Sequence, residues 1–124
     1  MNAAYDTPLD PMTAGESRPL DLVTIRATAH RALAERASAL PRVQEIREIT
    51  LALRGHLELM LPEAQEHADQ LPPGTTQWYC WEGLITNART ELDEGPGGGL
   101  YSAFTHMQTL ATSVRLLADR FDER

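Results

Sequence analysis

Apolar residues recur at every third or fourth position in four separate stretches of the chain, which is the spacing of one face of an α-helix. The clearest stretch predicts a long second helix, whose apolar seam consists of Val43, Ile46, Thr50, Leu53, Leu57, Met60 and Ala64. A first helix is predicted over about 21–39, a third from Thr75 or Thr76 to Gly95, and a fourth over about 100–121. We find no stretch in which apolar and polar residues alternate, as they do in a half-buried strand. The sequence therefore predicts an all-α fold, an antiparallel four-helix bundle.

A proline inside the second seam leaves a five-helix description open. Proline lacks a backbone N–H and its ring clashes with the preceding turn of a helix. We therefore expect either a kink between about Glu58 and Pro62 or two helices in sequence.

The first part of the chain differs from the rest in composition. Residues 1–19 contain three prolines and few apolar side chains, so little burial offsets the entropy lost on ordering. We expect a flexible N-terminal tail over 1–19 and a helical bundle domain over 20–124.

The charge and the cysteine content limit which classes of partner and which cellular compartment we expect. The 124 residues carry a formal net charge of -7 and form no basic run, which argues against nucleic acid and anionic membrane surfaces as partners. No apolar run is long enough to span a bilayer, and the N-terminus lacks the features of a signal peptide. The single cysteine, Cys80, fits a reducing compartment. We expect a cytoplasmic protein.

The histidines do not have the spacing of a metal site. His30, His56, His67 and His106 fall on separate helices or helix halves, and none follows a glutamate by three residues, as di-iron bundles require. We therefore predict no metal and no cofactor, with the histidines at surface or boundary positions. Because no convergent catalytic set is apparent, the sequence favours a non-enzymatic role and leaves enzymatic activity open.

The most unusual local feature is a pair of tryptophans on the third helix. Trp78 and Trp81 share one helix face, which suits the core or, alternatively, the wall of a pocket or an interface. If the bundle holds a ligand, we expect its site near Trp78, Trp81, His56 and His106.

The fourth helix has a wide apolar stripe. Leu110 and Leu117 flank its inner positions, so we expect apolar surface that a second copy or another protein covers. The alternative is that the kinked second helix covers the stripe within one chain. On its outer side, Arg115 and Asp119 have the spacing of an ion pair.

Two segments carry a resemblance to a known family. They are Leu-Ala-Leu-Arg-Gly-His-Leu-Glu-Leu-Met-Leu-Pro at 51–62 and Gly-Pro-Gly-Gly-Gly-Leu at 95–100, the latter followed by the last helix. Over about 20–121 the chain resembles small, uncharacterised actinobacterial helical proteins that are often encoded near natural-product biosynthesis clusters. The resemblance implies a setting accessory to secondary metabolism, and it brings no catalytic residues.

Two hypotheses about function follow. The first is a non-enzymatic accessory, regulatory or protein-interaction protein, with a protein partner or a homodimer. The alternative is a small-molecule binding or tailoring protein with a pocket inside the bundle.

Overall fold

A computed structural model describes residues 20–35 and 42–124. These residues form four α-helices: α1 (Leu22–Ala34), α2 (Val43–Asp69), α3 (Thr76–Glu94) and α4 (Leu100–Glu123). Helices account for 84% of the described residues, which contain no strand, so the predicted all-α fold is confirmed. The predicted tail over 1–19 lies outside the described residues.

The helices pack as a central pair with one helix on each side. Helix α4 contacts the other three helices, and α2 contacts α1 and α3, whereas the described parts of α1 and α3 do not touch each other. The contacts between α1 and α4 run in opposite directions along the two helices. Arg26 in the first half of α1 bonds to Asp119 near the end of α4, whereas the carbonyl of Ala32 near the end of α1 accepts from Gln108 in the first half of α4. Neighbouring helices α1 and α4 are therefore antiparallel.

The core lies between these helices and follows the predicted seams. All of the α2 seam is buried except its first member, Val43, which is exposed. The largest fully buried side chains are Ile49, Leu53, Leu57, Met60, Ile85, Met107, Leu110, Val114 and Leu117. Thr50 and His106 are the buried polar residues of the described ranges.

Local hydrogen bonds fix where the helices begin and end. The carboxylate of Asp21 accepts from the backbone N–H of Thr24 at 3.1 Å, and the hydroxyl of Thr75 accepts from that of Trp78 at 3.3 Å. Both residues therefore act as N-caps. Gly95 ends α3 with a φ of 75°, a conformation that costs glycine little.

The first helix is shorter than predicted. It ends at Ala34 rather than near residue 39, since Glu35 already has extended backbone. The side-chain amide of Gln108 on α4 donates to the carbonyls of Ala32 and Glu35 at 3.3 and 3.1 Å. A side chain from another helix thus satisfies carbonyl groups that a continued helix would have bonded.

The alternative of two helices in place of α2 is wrong, because α2 is continuous through Pro62. The proline ring lies on the exposed side of the helix, and so does Glu58, whose carbonyl loses its intrahelical donor. Water can bond that carbonyl, while the buried seam on the opposite side holds the helix together.

The expectation that α4 leaves an apolar stripe uncovered is also wrong. Leu110 and Leu117 are 0% exposed. Because α4 is surrounded by three helices rather than two, a wide stripe is covered within one chain.

Candidate functional site

Apart from Val43 at the start of the helix, the apolar surface that remains exposed on α2 lies on the side opposite its seam. Leu51 and Leu59 are each 64% exposed and stand one turn to either side of Gly55. We call this surface the α2 outer face. It comprises Leu51, Ala52, Gly55, Leu59 and Pro62.

Gly55 marks the centre of the α2 outer face. A Cβ atom built at this position meets nothing within 4 Å, so no described part of the chain approaches it. A glycine in a helix interior costs about 0.5–1 kcal/mol relative to alanine. Packing among the described residues gives no reason for this cost, whereas a second helix lying across the α2 outer face would approach closely at a residue without a side chain.

The charges along α2 are divided between its two halves. The half before Gly55 carries two arginines, Arg47 and Arg54, and two glutamates, of which Glu45 is paired with Arg31 of α1 at 3.2 Å. The half after Gly55 carries no arginine. Its acidic residues are Glu58, Glu63, Glu66 and Asp69. The second half of α2 is therefore acidic, and all of the arginines of the helix lie in its first half, so an antiparallel neighbour would set arginines beside acidic residues.

Of the four residues predicted to lie near a ligand, His56 is placed between α2 and α1. Its Nε2 lies 3.1 Å from the hydroxyl of Thr28, and its side chain is half-buried. This burial lowers the pKa of His56, because the charged imidazolium loses hydration, and the nearby carboxylate of Asp21 opposes the shift.

His106 lies between α4 and α3, and its burial was not predicted. It is only 4% exposed, which contradicts the expectation of a surface or boundary position. Its Nδ1 lies 2.5 Å from a carboxylate oxygen of Glu91, and the two atoms form a hydrogen bond. Its Nε2 is buried without a hydrogen-bond partner among the described residues. A signal was present in the sequence, because His106 precedes Leu110 by one turn and so belongs to the widened stripe.

The tryptophans occupy different environments. Trp81 is buried between the rings of His67 on α2 and Phe121 on α4, with centroids 4.6 and 5.3 Å away. This position confirms the core interpretation for Trp81. Trp78 is half-buried and contacts the ring of Tyr79 edge-on at 4.9 Å.

The structure does not bring these four residues together. No hydrogen bond or ring contact found in residues 20–35 and 42–124 joins any two of them. The two histidines lie at different helix interfaces, His56 with α1 and His106 with α3. A ligand-binding role for the four residues stays a prediction.

The described ranges offer no candidate for two other classes of site, a metal cluster and a membrane-spanning helix. They contain no group of three or more histidine, cysteine, aspartate or glutamate side chains that could hold a metal ion. None of their helices combines the length and the apolar character that a membrane crossing requires.

Comparisons with known proteins give one match. No curated protein and no solved structure matches the chain. A family model matches residues 23–124, which include all four helices except the first residue of α1. The chain therefore belongs to the family of unknown function DUF6415.

Proposed function

We propose that the protein is a non-enzymatic accessory protein that acts as a homodimer, in which two copies pair through their α2 outer faces in antiparallel orientation. The observation that carries the proposal is the pair of exposed leucines around Gly55. Apolar side chains in a contiguous exposed patch favour an interface, and a two-fold axis lets one patch cover itself.

The geometry of α2 suits this arrangement. In an antiparallel pair centred on Gly55, Leu51 of one copy lies beside Leu59 of the other, because both stand one turn from the centre on opposite sides. The glycines meet at the centre, where the absence of side chains permits close approach of the two backbones. Each leucine then loses contact with water, at a gain of about 25 cal/mol per Å² of apolar surface buried.

The charges favour the same orientation. An antiparallel pair places the arginine-bearing half of each α2 beside the acidic half of the other. Arg54 of one copy lies close to Glu58 of the other, flanking the leucines. Within the chain, Arg54 and Glu58 have helical i, i+4 spacing, yet neither has an ion-pair partner among the described residues. A parallel pair would set Arg54 beside Arg54 and Glu58 beside Glu58, whereas in the antiparallel pair the two Arg54–Glu58 contacts offset the approach of the two Arg54 side chains near the axis.

We also propose a setting in which the protein acts, with support from its sequence. We place it in an actinobacterial cytoplasm, accessory to natural-product biosynthesis. Two observations support this setting. One is the resemblance carried by residues 51–62 and 95–100, and the other is that all eleven basic residues are arginine. Deletion of the gene without any change in the natural products of its host would contradict this part.

Sedimentation equilibrium over concentrations from about 10 μM to about 1 mM tests the dimer. We expect the apparent mass to rise from 13.8 kDa towards twice that value. The variant Leu51→Glu should stay at the monomer mass, because it buries a charge in the pair.

The matched control is Val23→Glu, which places the same charge at a residue of α1 that is 81% exposed and lies outside the α2 outer face. This control should associate like the parent protein, and circular dichroism should show that both variants keep their helices. A parent protein that remains monomeric throughout, or a Leu51→Glu variant that associates normally, contradicts the proposal.

A further inference from the structure

A groove between α1 and α4 lies away from the α2 outer face. Its volume is about 300 Å³, and it is open to solvent on one side. It is lined by Arg26, Ala29, His30, Leu33 and Ala34 of α1 and by Arg115 of α4. Three of these residues are apolar and three carry a basic side chain, so the groove is amphipathic.

The ion pairs around the groove differ from those expected from sequence. The predicted pair of Arg115 and Asp119 does not form. Asp119 instead binds Arg26 of α1 at 2.6 Å, and Asp122 binds the other terminal nitrogen of the same guanidinium. The guanidinium of Arg26 therefore forms ion pairs with both Asp119 and Asp122 of α4.

This exchange leaves Arg115 without a counter-ion in the part of the chain that the structure describes. No carboxylate of the described ranges lies within 4.0 Å of Arg115 or of His30. In a chain of net charge -7, Arg115 therefore presents an uncompensated guanidinium to the groove that His30 also lines. Such an arginine presents a planar fork that matches a carboxylate group.

The apolar residues define the rest of the ligand. Ala29 is buried at the base of the groove, and Leu33 is half-buried beside it. A hydrocarbon body resting on them would release water from apolar surface, while an anionic head group reaches Arg115. The volume is at the lower end of small-molecule sites, which span about 300–1,000 Å³.

We propose that the groove between α1 and α4 binds a small amphipathic carboxylate, with its anionic head on Arg115 and its hydrocarbon body on Ala29 and Leu33. This binding does not depend on the homodimer, because the groove lies on α1 and α4 and the dimer contact on α2.

Titration of the full chain with sodium octanoate, followed by amide chemical shifts, tests the site. We expect saturable shifts confined to the middle of α1 and to the turns of α4 around Arg115. Sodium acetate lacks the hydrocarbon body and 1-octanol lacks the charge, so each should bind more weakly than octanoate.

The variant Arg115→Gln should weaken octanoate binding by about five-fold, the effect of losing one solvent-accessible charge contact. The matched control Arg89→Gln removes an exposed arginine from α3, which does not contact α1, and should leave binding unchanged. Leu51→Glu should also bind octanoate normally, which separates this site from the dimer. Absence of saturable shifts, equal binding of 1-octanol, or equal loss in both arginine variants would overturn the proposal.

Discussion

The contact between buried His106 and half-buried Glu91 gives the sharpest stability prediction. The His106 side chain is 3% exposed and that of Glu91 is 18% exposed, so the imidazole depends on the carboxylate while the carboxylate can still reach water. We therefore expect the two single substitutions to have unequal effects on the free energy of unfolding.

Glu91→Ala should cost about 1–3 kcal/mol, since it leaves both ring nitrogens of a buried imidazole without partners. His106→Leu should change the free energy of unfolding by less than about 1 kcal/mol, because an apolar side chain replaces the unpartnered Nε2 and Glu91 turns to solvent. In the double variant, the loss seen for Glu91→Ala should largely disappear, since no imidazole remains to be left unpaired.

Urea denaturation followed by circular dichroism measures these differences. The comparison requires that the free energy of unfolding falls with urea concentration at the same slope in all variants. Glu94→Ala is the matched control. This glutamate of α3 is exposed, so its substitution should change the free energy of unfolding by less than about 0.5 kcal/mol. If Glu91→Ala is as stable as the control, or if the double variant is as unstable as Glu91→Ala alone, the pair does not have the energetic role that we derive from its burial.

Two further predictions concern the α2 core and the pH dependence. Leu57→Ala should lower the free energy of unfolding by about 2–5 kcal/mol, because Leu57 is 0% exposed. Leu59→Ala on the α2 outer face should leave the stability of the monomer almost unchanged. Equal urea midpoints for the two variants would contradict this contrast. Burial lowers the pKa of His56 in the folded chain, so as the pH falls through about 6.5 the unfolded chain takes up this proton first and stability decreases. His56→Gln should make the fall in stability between about pH 7 and pH 5 shallower than in the parent chain, and a pH profile identical to that of the parent chain would refute the assignment.

The helices could be predicted from the sequence because their signals are local. The spacing of apolar residues and the caps at Asp21, Thr75 and Gly95 depend on residues within one or two turns. The end of α1 could not be predicted, since it depends on Gln108, which is distant in sequence. Continuity through Pro62 also depends on tertiary burial, which outweighs a local preference for breaking the helix.

The candidate surface was less accessible to sequence reasoning than the core. The seam of α2 directs attention to its buried side, and the charges on the other side suggest an ordinary solvated face. The signal that sequence reasoning missed is the spacing of Leu51, Gly55 and Leu59, one turn apart. Local spacing rules also could not predict that Asp119 pairs with Arg26 rather than with Arg115. Arg115 is nearer to Asp119 in sequence, but the bundle places Arg26 opposite it.

The claim that α2 pairs antiparallel with α2 of a second copy is tested most directly by a charge exchange between two variants. Arg54→Glu sets a new carboxylate beside Glu58 of the other copy, and Glu58→Arg sets a new guanidinium beside Arg54. Each variant alone should therefore fail to dimerise. An equimolar mixture should form dimers, because one chain then carries glutamate and the other arginine at both positions, so that every contact joins opposite charges. Sedimentation of the two variants separately and mixed gives the answer: association of the mixture alone is the predicted result, and a mixture that stays at 13.8 kDa, or single variants that dimerise like the parent protein, would contradict the arrangement.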